Sequence, residues 1–419
     1  MACCCIFYIL RKGVLTQMLY SQYNGSWLVA RGISFVKRCI KKIIRTIIYH
    51  LPKSNIILFE SYPDFTDNTY PLFLELQKLL PKYKMVWLVD RFSAHVPERR
   101  KKYNIVFTDC RNFAEEAIWL YYVSRCKALI HCNRYKKKIK DSQLSIYLNH
   151  GTPLKNVKGC YDMKAFSVDY VNTISEYFIE TEAQTLNCPA ERFVCFGFPR
   201  CDYFYAPSRR EDINDIVNGR YIIWLPTFRV HNSKTRDDAP NSVFNNIGVP
   251  LFYSVEALKG FNAFLQERNI HILYKPHFAQ DLDAVKRETL SNFHIIYDED
   301  ILCRNLQLYE VIAQSEALIT DYSSVFWDYM LLDRPIAITT DDIEAYRKGL
   351  GFVIDIESVW KETAETMQDS TGLCEFVDKV IAGIDTKQEG RRKWRDISNT
   401  HQDGKSAERA AKFIIDKLK

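Results

Sequence analysis

The sequence predicts an α/β protein in which two Rossmann-like domains face each other behind an N-terminal basic amphipathic segment. Short apolar runs alternate with helix-like stretches in two successive series, and polar clusters rich in His, Lys, Arg and Ser follow the runs. No acidic residue precedes Glu60. At 419 residues the chain exceeds one ordinary core and suits two domains plus an appendage.

The segment 1–52 comes first. Arg11, Lys12, Arg31, Lys37, Arg38, Lys41, Lys42, Arg45 and Lys53 give the acid-free end nine positive charges, so with a net charge of +6 the chain from Glu60 onward carries −3. Basicity is therefore a property of one end, and a nucleic-acid-binding role for the whole fold is not expected. Between Ile33 and Leu51 the residues Val36, Ile40, Ile43, Ile44, Ile47, Ile48 and Leu51 form one helical stripe opposite five cations. Such a helix lies in the headgroup plane of an anionic membrane or packs on the core, and the absence of acids favours the membrane. The apolar residues 1–10 precede Arg11 and Lys12 instead of following them, which argues against a cleaved signal peptide. No apolar stretch is long enough to span a bilayer.

The first domain, 53–207, should hold strands at Ile56–Phe59, Met85–Val89, Ile105–Phe107, Ala128–Ile130, Ser145–Leu148 and Val168–Ile174. The second, 208–419, should hold strands at Tyr221–Leu225, Ile270–Tyr274, His294–Tyr297, Ala317–Thr320, Ile336–Thr339 and Phe352–Ile354. The basic runs Arg99–Lys102 and Arg134–Lys140 read as solvated surface in preference to part of the same membrane-facing side. Thirteen cysteines without a C-x-x-C pair, clustered only at Cys3, Cys4 and Cys5, suit a reducing compartment and offer no zinc site. A P-loop and a strand-linked G-x-G-x-x-G are both absent, so kinase and oxidoreductase chemistry lose their usual support.

Five polar clusters sit just after predicted strands: Asn149–Lys155, Gly197–Asp202, Pro226–Arg229, Lys275–His277 and Asp321–Ser324. A single histidine there is more often structural, and Ser323 or Ser324 alone could be a helix cap. Five clusters on the face where α/β folds bind ligands point instead to a site. Arg229, Lys275, His277, Ser323 and Ser324 can hold a diphosphate without a metal, through a guanidinium fork, a point charge and hydroxyls. His150 lies beside Gly151, where a missing side chain allows close approach, and an imidazole can take a proton from an attacking hydroxyl. Asp298-Glu299-Asp300 is read as a turn or helix start in preference to a metal motif.

Together, His150–Lys155, Gly197–Asp202, Pro226–Arg229, Lys275–His277 and Leu318–Tyr329 resemble the CDP-glycerol glycerophosphotransferase family, the teichoic-acid primases and polymerases. The match runs from about Asn55 to Asp355, departing at Asn149, where the family often has tryptophan, and at Arg347-Lys348-Gly349, where it usually has an arginine-glycine pair. The resemblance implies a GT-B fold with an N-terminal acceptor domain and a C-terminal CDP-donor domain. It implies peripheral attachment at the cytoplasmic face of the membrane. The reaction it implies moves a polyol phosphate from CDP-glycerol or CDP-ribitol to a lipid-linked or polymeric acceptor of a teichoic-acid-like or capsular polymer, with no cofactor. His150 and His277 would be catalytic, with Arg229, Lys275, Asp321, Tyr322, Ser323 and Ser324 binding the donor. A nucleotide-sugar glycosyltransferase and a non-catalytic assembly scaffold remain the alternatives.

Overall fold

The computed structural model describes residues 27–91, 97–134, 136–158, 167–227, 247–277, 280 and 282–419. Seven strands form the first sheet: β1 (Ile56–Glu60), β2 (Lys84–Val89), β3 (Ile105–Phe107), β4 (Ala128–His131), β5 (Leu144–Tyr147), β6 (Tyr170–Thr173) and β7 (Phe193–Cys195). All pair in parallel in the order β3-β2-β1-β4-β5-β6-β7. The second sheet comprises β8 (Tyr221–Leu225), β9 (His271–Tyr274), β10 (Phe293–Ile295), β11 (Leu318–Thr320), β12 (Ile336–Thr339) and β13 (Glu365–Met367). These are also parallel, in the order β10-β9-β8-β11-β12-β13. Helices cover both faces of each sheet, which is why β1, β8 and β12 are buried along their whole length and read as continuous apolar runs.

Each sheet reverses its strand order once, between β1 and β4 in the first domain and between β8 and β11 in the second. In doubly wound sheets, ligands bind beyond the carboxyl ends of the strands at such a reversal. The two reversals face one cleft.

Three differences from the sequence reading have physical causes. Phe352–Ile354 is not a strand of the sheet. Phe352 forms an antiparallel bridge with Lys155, Val353 N donates to Leu154 O at 3.1 Å, and Asn156 N donates to Gly351 O at 3.0 Å. The Phe352 ring packs on Tyr322, Tyr346 and Trp360 of its own domain, while its backbone bridges to the first. The last strand is β13, whose three residues carry one apolar side chain and leave no periodic signal. Within the basic runs, Arg99 is buried, donating to Phe65 O at 2.9 Å and Asn305 Oδ1 at 3.0 Å. Arg134 stacks 4.3 Å from the Tyr62 ring centre and donates to Asp90 at 2.6 Å.

The final helix, Ser406–Leu418, crosses back to the first domain, where Ala410, Ala411 and Ile414 share a core with Ile57, Leu72 and Leu76. A division that ends the first domain at 207 leaves this contribution out. The N-terminal helix spans Trp27–His50 and rests on the helix Phe113–Arg125. Ile48 is buried there, Ser124 donates to its carbonyl at 3.1 Å, and Arg45 grips Glu116 with two bonds of 2.7 and 2.9 Å. The expected apolar stripe is thus divided. Ile40 and Ile44 are half-buried, while Val36, Ile43 and Ile47, together with Phe35, stay exposed. No helix among the described residues is long and apolar enough to cross a membrane. Residues 1–26, including Cys3 to Cys5, lie outside the described residues.

Candidate active site

The cleft between the domains has a volume of about 1150 Å³ and is lined by loops that follow β1, β4 and β5 on one side and β8, β9 and β11 on the other. It brings together His150, Lys275, His277, Ser323 and Ser324. Arg229 lies outside the described residues.

The first-domain wall is organised around His150. After β5 the backbone turns through Asn149 at φ 58°, a left-handed conformation that asparagine tolerates better than most side chains. The Asn149 side chain then accepts the His150 N–H at 2.8 Å. His150 Nδ1 lies 2.9 Å from the Tyr147 hydroxyl and 3.2 Å from the Cys132 carbonyl oxygen. A carbonyl oxygen only accepts, so the proton is assigned to Nδ1 and the lone pair to Nε2. That tautomer suits a general base.

Gly151 has a different use from the one expected. A Cβ at this position would sit 2.6 Å from Ser324 Oγ, so the missing side chain admits the opposite domain. Acids surround the wall. Burial pushes the Glu60 carboxyl up to about 7, although the charges of Lys136 and Arg134 and the N–H groups of Arg134 and Cys132 oppose it. Asp64 is likewise raised by burial to about 6, against Arg100. Burial acts upward on Asp67 too, but Arg200 and His150 hold it below the ordinary carboxylate range.

The second-domain wall presents hydroxyls and cations. Ser323 and Ser324 follow β11 and line the cleft, and the Ser324 side chain makes no capping bond to its helix. That helix is only Val325–Tyr329, so its dipole is small, and anion binding here rests on hydroxyls, local N–H groups and side-chain charge. Lys275 enters from the end of β9 and pairs with Asp298 at 3.1 Å, while half-buried His277 follows two residues later. Asp298 is thereby engaged, and Asp300 accepts the Tyr297 N–H at 2.8 Å at the start of its helix. Among the described residues, no group of three or more His, Cys, Asp or Glu is arranged to hold a metal ion.

Two expected donor ligands are corrected. Asp321 is fully buried and accepts from the Thr227 N–H and hydroxyl, tying the loop after β8 to the loop after β11. Tyr322 is also buried, donating to Asp342 at 2.6 Å and packing 4.1 Å from Tyr346. Both residues hold the wall from behind. Tyr62, Thr66, Asp67, Asn133, Arg134 and Tyr309 also line the cleft and were not anticipated. Their one sequence signal is position, since most of them follow β1 or β4, the strands flanking the reversal.

Comparison with known proteins agrees with this geometry. The teichoic acid poly(glycerol phosphate) polymerase of Bacillus spizizenii (strain W23) is 25% identical over 370 residues, which cover 76% of this chain and 82% of that protein. The teichoic acid glycerol-phosphate transferase of Staphylococcus aureus is 22% identical over 424 residues, covering 91% of this chain and 100% of the relative. Against a longer polymerase from Staphylococcus epidermidis, 26% identical, the chain covers 43% of the relative's length. The solved structure of the wall teichoic acid polymerase TagF superposes with a TM-score of 0.69 at 21% identity, over 93% of this chain and 96% of that one, and so shares the two-domain GT-B fold. The model of the CDP-glycerol:poly(glycerophosphate) glycerophosphotransferase family matches residues 43–416, from within the N-terminal helix to the last helix, and the chain belongs to that family.

Proposed function

We propose that the enzyme transfers a polyol phosphate, foremost glycerol phosphate, from a CDP-polyol to a hydroxyl of a lipid-linked or polymeric acceptor of a teichoic-acid-like polymer, releasing CMP. The observation that carries this reading is a histidine whose Nδ1 lies 3.2 Å from a backbone carbonyl, on a cleft wall facing serine hydroxyls, a lysine and a second histidine. The acceptor oxygen forms a bond to the polyol-bearing phosphorus as His150 takes its proton. The bond from that phosphorus to the bridging oxygen breaks, and its electron pair leaves with CMP. Lys275, His277, Ser323 and Ser324 supply positive charge and hydrogen bonds where negative charge grows, and Arg229 joins them in this reading. The side chains provide this stabilisation themselves, so the reading uses no metal.

The test is nucleotide release by purified protein in EDTA, with CDP-glycerol, CDP-ribitol and UDP-sugars offered alongside a synthetic lipid acceptor. CMP release is expected. UDP release alone would make the protein a glycosyltransferase, and no release with any acceptor would favour a scaffold.

The proposal extends to the membrane. Phe35, Val36, Ile43 and Ile47 form an exposed apolar strip beside Lys37, Arg38, Lys41 and Lys42, a pairing that suits an anionic lipid surface at the cytoplasmic face. Holding the enzyme there raises the effective concentration of a lipid-tethered acceptor. The variant Ile43→Glu/Ile47→Glu should lose most of its co-sedimentation with anionic vesicles at low salt while keeping its melting temperature. Undiminished pelleting would exclude this strip as the dock.

A further inference from the structure

Arg200, in the polar cluster Gly197–Asp202, has no part in the chemistry described so far, yet it bonds to both cleft walls. It lies in the 3₁₀ segment Pro199–Tyr205 and is 5% exposed. Its Nη1 donates to Asp67 Oδ1 at 2.7 Å and to the backbone carbonyl of His150 at 2.9 Å. Its Nη2 donates to Asp328 Oδ2 at 2.7 Å. The same Asp328 oxygen accepts the Tyr309 hydroxyl, and the guanidinium carbon sits 4.9 Å from the Tyr309 ring centre and 4.7 Å from that of Phe198.

Asp67 and His150 belong to the first domain, whereas Asp328 and Tyr309 belong to the second. Asp328 is fully buried on the helix Val325–Tyr329, one turn beyond Ser324. A guanidinium is planar, so the directions of its two Nη groups are fixed relative to each other, and holding both fixes the groups they hold. The backbone of Arg200 contributes as well: its N–H donates to Asn68 Oδ1 at 3.1 Å, and Asn68 Nδ2 donates to the Asn149 carbonyl at 2.8 Å. The turn that carries His150 is therefore held at two successive carbonyls. At the neighbouring residue the walls already touch, since a Cβ on Gly151 would lie 2.6 Å from Ser324 Oγ.

We propose that Arg200 is a positioning residue for phosphoryl transfer: through the His150 carbonyl and the Asp328 carboxylate it sets the separation between the general base and the Ser323–Ser324 wall. The proposal rests on the assignment of His150 as base and of a CDP-polyol as donor. Transfer requires the attacking oxygen, phosphorus and base to be aligned, and a misplacement of about 1 Å costs on the order of a hundredfold in rate. A lysine at 200 keeps the charge but replaces the fork with a point donor. It should weaken the alignment while leaving the donor wall in place.

The experiment is a kinetic cycle on the full chain, with CDP-glycerol and a synthetic lipid acceptor as substrates and CMP as readout. Arg200→Lys should keep the CDP-glycerol KM within about twofold and lower kcat by about 10- to 100-fold. In a His150→Ala background the same change should cost less than about twofold, because the group being aligned is gone. Equal losses in both backgrounds, or a raised KM with kcat intact, would show a merely structural role and overturn the proposal. If Arg200→Lys does not fold, Asp328→Asn runs the same cycle with the same expectation and the same refutation. A wild-type protein that releases no CMP would overturn the donor assignment and the proposal together, whereas an active wild type with additive losses would overturn the positioning role alone.

Discussion

The first-domain wall fixes a histidine through bonds to its ring and backbone, among buried acids, whereas the second-domain wall presents Ser323, Ser324, Lys275 and His277 with its own buried acid, Asp321, turned inward as a brace. The difference fits the roles proposed for the two walls. The proposed base needs a defined tautomer, and the Cys132 carbonyl beside Nδ1 favours the one protonated there. A wall proposed to hold a diphosphate needs several donors within reach of one ligand. On this wall Asp298 and the exposed Glu299 both line the cleft, and Asp298 is paired with Lys275.

The acids behind the first wall offer the largest effect that can sharpen this comparison. Glu60 is raised from 4.5 to about 7, so the fold favours its protonated form. Its contribution to stability is retained below about 4.5 and lost as the pH rises toward about 7, a loss of about 3 kcal/mol. Glu60→Gln imitates the protonated form at every pH. Relative to wild type it should therefore gain stability across that window and show no relative change below it, as measured by denaturant unfolding at a series of pH values. A constant difference between the two proteins would mean that Glu60 binds its proton no more tightly in the folded state than in the unfolded chain.

A smaller effect tests the contact between the walls. Gly151→Ala places a carbon 2.6 Å from Ser324 Oγ, which must rotate or retreat. Turnover, read as CMP release from CDP-glycerol, should fall about tenfold. Unchanged activity in Gly151→Ala would show that the walls do not meet this closely in the working enzyme.

Much of the fold was legible because buried parallel strands are continuous apolar runs, as in Ile56-Ile57-Leu58-Phe59 and Tyr221-Ile222-Ile223-Trp224-Leu225. Of the four edge strands, β3 and β10 were legible and β7 and β13 were not. Glu365-Thr366-Met367 becomes a strand by pairing with β12, and Phe193-Val194-Cys195 by pairing with β6, neither of which leaves a local period. Phe352 misled for the opposite reason, since its apolar side chain packs at a junction between loops instead of in the sheet. At the site, His150, Lys275, His277, Ser323 and Ser324 could be found because polar residues at strand tips stand out from the apolar runs before them. Asp321 and Tyr322 share that position but point inward, and a residue's side of a turn is set by tertiary packing that its neighbours in sequence do not encode. The same limit hid Asp67 and Arg134, which reach the cleft from loops with no distinctive motif.

The division of labour between the walls is tested most directly by measuring kcat and the CDP-glycerol dissociation constant for His150→Ala and His277→Ala side by side. His150→Ala should lower kcat by about 10²- to 10⁴-fold while donor binding stays within about twofold, because only proton removal is lost. His277→Ala should weaken donor binding and turnover together, because charge on the departing CMP grows against that wall. Loss of CDP-glycerol binding in His150→Ala, with binding intact in His277→Ala, would contradict the assignment of base and donor to these two domains.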